Sequence, residues 1–205
     1  MIEVELKCEL FPKSLPKLQE RLQHMTFDGT AHNVDRYYDT PRFDLLQQAV
    51  FVRVRNEHRL EFKFNEQGET AHRQSTERVF SLFPDPGTLE KMNALFTRFL
   101  PHWSASSNFS EAVTKNNLAE LAYINNTREV YVDGAVHLSI DHVEGLGDFL
   151  EVEMQCKEDA DTSEALALLH KFIAHLDLQH IKVGYVELWL RMHNPQAYQL
   201  GKYHL

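Results

Sequence analysis

The start of this chain constrains it most. In Ile2-Glu3-Val4-Glu5-Leu6-Lys7 every even position is apolar and every odd one is charged. Side chains on a strand alternate between its two faces, so Ile2, Val4 and Leu6 share one face and Glu3, Glu5 and Lys7 the other. One such copy would suit any sheet with one face in water. The alternation returns, however, with charge types that suit phosphate and metal. Phe51-Val52-Arg53-Val54-Arg55 sets two arginines on one face, and Leu60-Glu61-Phe62-Lys63-Phe64 sets a Glu and a Lys against an apolar stripe. Phe149-Leu150-Glu151-Val152-Glu153-Met154 sets two carboxylates together. A solvated sheet tends to mix Ser, Thr, Gln and Lys, whereas here the Arg pair and the Glu pairs are segregated by strand. Strands of this kind can close into a barrel, charged inside and packed under helices outside.

A chain of 205 residues is expected to form one domain, spanning 1–205. The net charge of −9 turns the exterior against nucleic acid and anionic lipid, so a polyanion would need a local Arg/Lys cluster to bind. No run approaches the roughly 18 apolar residues of a membrane helix, and the N-terminus shows no signal-peptide pattern. Cys8 and Cys156 lack metal-like spacing and fall on the apolar side of their strands. Two buried free thiols are expected, in a reducing cytoplasm. The 12 histidines form no His-x-x-x-His pair, which argues against a zinc site.

Along the chain, strands are expected over 2–9, 34–39, 49–56, 59–66, 72–82, 121–132, 136–143 and 148–156. Ser14 is placed to cap a helix to about His24, and Asp133-Gly134 to turn a hairpin. Thr88–Leu100 carries Leu89, Met92, Leu95, Phe96 and Phe99 at helical spacing. Further helices are expected after Ser110, from Thr162 or Ser163 to about Leu176, and from Tyr185 through the tail. Eight or nine strands with four or five helices make the fold class α+β: an antiparallel eight-stranded β-barrel with a charged interior.

The inward acids are then Glu3, Glu5, Glu77, Asp141, Glu151 and Glu153. The inward bases are Lys7, Arg53, Arg55, Lys63, Arg73 and Arg128, with Lys182 arriving from the C-terminal segment. Arg73 and Arg78 lie on opposite faces of their strand, so one of them at most points inward. Glu61 beside Lys63 reads as an exposed ion pair, worth under about 1 kcal/mol. Buried like charges cost several kcal/mol each, and carboxylate clusters become stable around hard divalent cations such as Mg²⁺ or Mn²⁺. Facing Arg and Lys side chains grip phosphate oxygens. Acids with metal at one end and bases along the rest describe a site for a chain of phosphates.

The same residues carry a resemblance. Glu3-x-Glu5-x-Lys7 is similar to the signature of the CYTH superfamily, the triphosphate tunnel metalloenzymes. Tyr37-Tyr38-Asp39-Thr40-Pro41, Arg53-x-Arg55, Lys63, Glu77, Arg128, Asp141, Glu151-x-Glu153 and Lys182 with Tyr185 follow in order. The tail and the spacing of the Tyr37 segment most resemble the soluble thiamine triphosphatase branch. That branch carries a tryptophan where this chain has Phe51, a smaller stacking face.

The resemblance implies an eight-stranded tunnel and metal-dependent hydrolysis of a triphosphate, either thiamine triphosphate or inorganic tripolyphosphate. Glu3, Glu5, Asp141, Glu151 and Glu153 would hold Mg²⁺ or Mn²⁺. Lys7, Arg53, Arg55, Lys63, Arg73, Arg128 and Lys182 would grip phosphate, and Glu3, Glu5, Lys7 and Glu153 would form the catalytic group. No Ser-His-Asp or Cys-His arrangement is visible, which fits water as nucleophile. A cyclase releasing pyrophosphate from ATP and a non-catalytic polyphosphate-binding module are the alternatives. The partner is expected to be a small triphosphate, with no nucleic acid or membrane, and the protein a monomer or homodimer.

Overall fold

The computed structural model describes residues 2–65, 74–157 and 161–205. Among them are nine strands and six α-helices. The strands are β1 (Ile2–Glu9), β2 (Thr26–Asp39), β3 (Phe51–Arg55), β4 (Arg59–Phe64), β5 (Gln74–Ser81), β6 (Ala119–Asp133), β7 (Val136–Val143), β8 (Gly147–Cys156) and β9 (Gln179–Ile181). The helices are α1 (Leu15–Leu22), α2 (Pro86–Phe99), α3 (Phe109–Lys115), α4 (Ser163–Ile173), α5 (Tyr185–His193) and α6 (Pro195–Leu200). All strand pairs are antiparallel, in the order β5-β4-β3-β2-β6-β7-β8-β1. Pairing of Ile2–Val4 with β5 closes this ring into an eight-stranded barrel. β1 divides its edge: Ile2–Val4 complete the wall, while Lys7–Glu9 take up β9.

Closure gives the two faces of each strand different fates. The outward stripes of β3, β4 and β5 (Val52, Val54, Leu60, Phe62, Phe64 and Phe80) pack under Met92 and Phe96 of α2 and under Phe109 and Ala112 of α3. Those of β1, β7 and β8 (Val4, Leu6, Cys8, Leu138, Leu150 and Val152) pack under Leu18 of α1 and under Ala165 and Leu169 of α4. Cys8 is a buried free thiol, which burial pushes up to about 11. Cys156 is also free and is half-buried. A third cluster joins Tyr37, Phe51, Ile124 and Phe149 to Val186 and Leu190 of α5 and to Ala197 and Tyr198 of α6.

Local chemistry sets the helix starts. Pro86 follows Asp85, whose carboxylate accepts from the N–H groups of Gly87 and Thr88 at 3.0 and 3.1 Å, so α2 begins two residues before the hydrophobic spacing suggests. Asn108 caps α3 through the N–H of Glu111. Ser14 precedes α1 but does not cap it; its hydroxyl donates to the Asp177 carbonyl instead. No helix among the described residues is long and apolar enough to cross a membrane.

Two elements differ from the sequence expectation. β2 starts at Thr26 rather than near Val34: its first half, Thr26–His32, is mostly exposed, and the weak strand formers Asp28 and Gly29 interrupt its strand signal. β6 and a bulge at Asp28–Gly29 hold it in the sheet, with Gly29 at φ 135°, a conformation glycine alone adopts freely. β9 spans three residues, too few for a period to show.

The outer core generates a direct expectation. Phe62 is fully buried, edge-on to Phe80 and Phe96 with centroids 5.8 and 4.6 Å away. Phe62→Ala is expected to cost about 3–5 kcal/mol in denaturant unfolding. A loss under about 1 kcal/mol would contradict this packing.

Candidate active site

The barrel register determines which charges meet inside. Arg53 lies opposite Glu61, Arg55 opposite Asp35, Lys63 opposite Glu77, Arg128 opposite Asp141 and Lys7 opposite Glu151. These are cross-strand pairs of opposite charge, the arrangement that lowers the cost of burying ions. Between β1 and β8 the register sets acid against acid: Glu5 of β1 faces Glu153 of β8. Glu3, two residues along the same face of β1, completes a trio in which one carboxylate oxygen from each residue lies within 4.8 Å of the others.

Lys63 stands against the trio. Lys63 donates to Glu3 at 3.0 Å and to Glu5 at 2.8 Å, and lies 3.7 Å from Glu77. Burial alone would raise the Glu3 carboxyl, but the Lys63 charge beside it holds it below its ordinary value. Glu153 goes the other way: burial and then the charge of Glu3 push it up to about 8. Without a further cation, one proton therefore stays on the trio at neutral pH. Three oxygen donors this close, with one held protonated for want of positive charge, fit a hard divalent cation such as Mg²⁺ or Mn²⁺.

Two basic groups share the cavity. In the first, Asp35 grips Arg55 through two bonds of 2.8 and 2.7 Å and lies 3.3 Å from Arg53. Arg53 in turn donates to Glu61 at 2.8 Å and to the Tyr37 hydroxyl at 3.1 Å. Burial would raise Asp35, yet Arg53 and Arg55 hold it below its ordinary value. In the second, Asp141 takes Arg128 through bonds of 2.7 and 2.6 Å, accepts from the Tyr185 hydroxyl at 2.6 Å and from the Asn126 amide at 3.1 Å. Arg128 also reaches Glu151 at 3.0 Å, and Lys7 pairs with the same carboxylate. Burial lowers Lys7 from its ordinary value, against the pull of Glu5 and Asp141.

Glu3, Glu5, Glu153, Lys7, Arg53, Arg55, Lys63 and Arg128 all line one cavity of about 240 Å³, as do Glu77 and Glu151. The Tyr37, Phe51 and Ile124 side chains line it too, with Tyr185 and Val186 from α5, so its wall is partly apolar. No serine, cysteine or histidine is among its described lining residues.

Three expectations change. The five-carboxylate metal set divides: Glu3, Glu5 and Glu153 converge, while Glu151 is engaged by Lys7 and Arg128, and Asp141 is wholly buried beneath Arg128 and does not line the cavity. Lys182 stands exposed and away from the cavity, because Ile181 and Val183 take the inward positions around it. Glu61 is 5 % exposed and salt-bridged to Arg53, not a surface pair. Arg78 sits opposite Phe62 on the outer face, and Glu77 opposite Lys63 on the inner one. Arg73 lies outside the described residues.

Sequence reasoning passed over Asp35, Tyr37 and Asn126 as site residues. Asp35 and Tyr37 are two apart, on the face opposite Arg55 and Arg53, a signal visible only once β2 and β3 are paired in register. Asn126 shares the inward face of Arg128, and its Oδ1 is buried without a hydrogen-bond partner.

A closed antiparallel barrel with acids and bases converging inside defines a charged-lumen tunnel fold. The CYTH domain model matches residues 1–183, and the chain belongs to the CYTH domain family. Among solved structures it is similar to the PH1819 protein of Pyrococcus horikoshii OT3, at 26 % identity and a TM-score of 0.63 over 92 % of this chain and 98 % of that one. It is similar to a Vibrio parahaemolyticus protein described as a candidate adenylate cyclase, at 15 % identity and a TM-score of 0.59 over 92 % and 97 %. It is also similar to HpAC1 from Hippeastrum, a candidate adenylyl cyclase described as having a dominant triphosphatase activity, at 20 % identity and a TM-score of 0.55 over 89 % and 90 %. The last two likenesses show a shared fold. No curated protein matches the chain.

The protonated trio makes stability depend on pH. The folded state holds the Glu153 proton up to about 8 against an ordinary value of 4.5. Its contribution is therefore fully present below 4.5 and lost as pH rises through about 8. In EDTA the wild-type Tm is expected to fall across that window relative to Glu153→Gln, which cannot ionise, and Mg²⁺ to restore it. Parallel pH curves for the two proteins would contradict this.

Proposed function

We propose that this protein is a metal-dependent triphosphatase. Water attacks the terminal phosphate of inorganic tripolyphosphate or of an organic triphosphate such as thiamine triphosphate. The observation that carries this reading is the convergence of Lys7, Arg53, Arg55, Lys63 and Arg128 on the cavity that also holds the Glu3, Glu5 and Glu153 oxygens. A small concave site with five cations and a carboxylate trio suits a short, highly charged anion. Support also comes from the triphosphatase activity described for HpAC1, a protein of the same fold.

Glu3, Glu5 and Glu153 would hold Mg²⁺ or Mn²⁺, which when bound supplies polarisation of phosphate oxygens and activation of water. The chain's own residues do the rest. Arg53 and Arg55, fixed in orientation by Asp35 and Glu61, present guanidinium donors to phosphate oxygens and offset charge as it builds on the leaving group. Arg128 and Lys7, set by Asp141 and Glu151, act from another side of the cavity. Lys63 donates to Glu3 and Glu5 and holds the Glu3 carboxyl below its ordinary value. With no serine, cysteine or histidine among the described lining residues, the displacement runs directly from water to phosphorus.

Phosphate release from tripolyphosphate, thiamine triphosphate and ATP, with Mg²⁺ and Mn²⁺ compared, tests the reading. Turnover to orthophosphate is expected; cyclic AMP and pyrophosphate from ATP would make the protein a cyclase, and no product from any substrate would make it a binding module. Glu153→Gln is expected to abolish metal-supported turnover while the protein stays folded. Arg55→Ala should lower kcat/KM by about 10- to 100-fold, the scale of a charged hydrogen bond of about 1.5–3 kcal/mol. Lys182→Ala is expected to stay within about two-fold of wild type, since exposed charges far from the chemistry contribute little; a larger loss would return Lys182 to the site.

A further inference from the structure

Tyr185 touches both halves of the second basic group. Its hydroxyl donates to Asp141 Oδ2 at 2.6 Å, and Lys7 Nζ stands over its ring, 4.2 Å from the centroid. The intervening contacts complete a circuit. Asp141 grips Arg128 at 2.7 and 2.6 Å, Arg128 reaches Glu151 at 3.0 Å, and Glu151 pairs with Lys7. Tyr185 is the one member of this ring that the barrel does not supply. It is the first residue of α5, with its ring against Phe149 at 5.0 Å, and α5 is anchored in the apolar cluster by Val186 and Leu190.

The chemistry of each contact is directional. A tyrosine hydroxyl bonded to Asp141 leaves that carboxylate's other lone pairs to the Arg128 fork, which fixes the plane of the guanidinium. A ring face under an ammonium attracts it without offering a competing carboxylate, so Lys7 is held while its N–H groups stay usable. We infer that Tyr185 is a positioning residue, through which docking of α5 sets Lys7 and Arg128 as one phosphate-gripping pair. The inference rests on the reading of the cavity as a triphosphate site.

The test is calorimetric binding of tripolyphosphate to the metal-free protein, with steady-state kinetics and Tm measured alongside. Tyr185→Phe keeps the ring under Lys7 and removes the bond to Asp141; Tyr185→Leu removes both. Met92→Ala, fully buried in α2 and outside both the circuit and the α5 cluster, serves as the destabilised control. Tyr185→Phe is expected to weaken tripolyphosphate by about three-fold and Tyr185→Leu by about ten-fold or more. Met92→Ala should bind within about two-fold of wild type at a comparable loss of Tm. In a Lys7→Met background the Tyr185→Leu effect should shrink, because half of its action runs through Lys7.

Wild-type affinity in Tyr185→Leu, or equal weakening in Met92→Ala, would overturn the inference and leave the triphosphatase reading standing. A wild-type protein that binds no tripolyphosphate and releases no phosphate from it with Mg²⁺ or Mn²⁺ present would overturn both.

Discussion

Closing an antiparallel sheet into a barrel sends every second side chain into one lumen, and charges sent there must find partners. The rest of this structure depends on how that is met. Five lumen cations meet carboxylates directly across the strand pairs, so the hydrogen-bonding register that builds the wall also balances most of the charge inside. Glu5 opposite Glu153 breaks the pattern. That local surplus of negative charge, joined by Glu3, keeps a proton on the trio and gives it the donor set that a divalent cation fits.

The paired cations serve a second purpose. An arginine anchored through two of its nitrogens has lost its rotamer freedom during folding, so a ligand does not bear that cost on binding. Asp35 does this for Arg55 and Asp141 for Arg128. Apolar residues fix the position of the polar region: Tyr37, Phe51, Ile124 and Phe149 are the inward residues packed against α5 and α6. Helices α2, α3 and α4 cover the outer stripes and hold the wall rigid.

Much of this was legible in the chain. The alternation in β1, β3, β4 and β8 announces strands with one charged face, and the apolar stripe of α2 announces its helix. Both periods are local and survive without knowledge of neighbours. What was hidden is whatever depends on register. Asp35 reads as an ordinary strand acid until β3 lies beside it, and Glu61 as a surface ion pair until closure buries it. Asp141 and Glu151 carry the right chemistry for a metal, but the arginine and lysine across the ladder claim them first. Lys182 shares a motif with Tyr185, yet a three-residue strand turns it outward. The first half of β2 was passed over because its apolar positions are only Phe27, Gly29 and Ala31, and Asp28 and Gly29 are weak strand formers.

We propose that Glu3, Glu5 and Glu153 form a cation site inside the barrel. Crystals grown with Mn²⁺ and measured at an energy where manganese scatters anomalously would address it directly. The predicted result is an anomalous peak bonded to oxygens of all three carboxylates, roughly 2.0–2.2 Å away as hard cations of this size require. A lumen without such a peak, while manganese is ordered elsewhere on the same molecules, would contradict it.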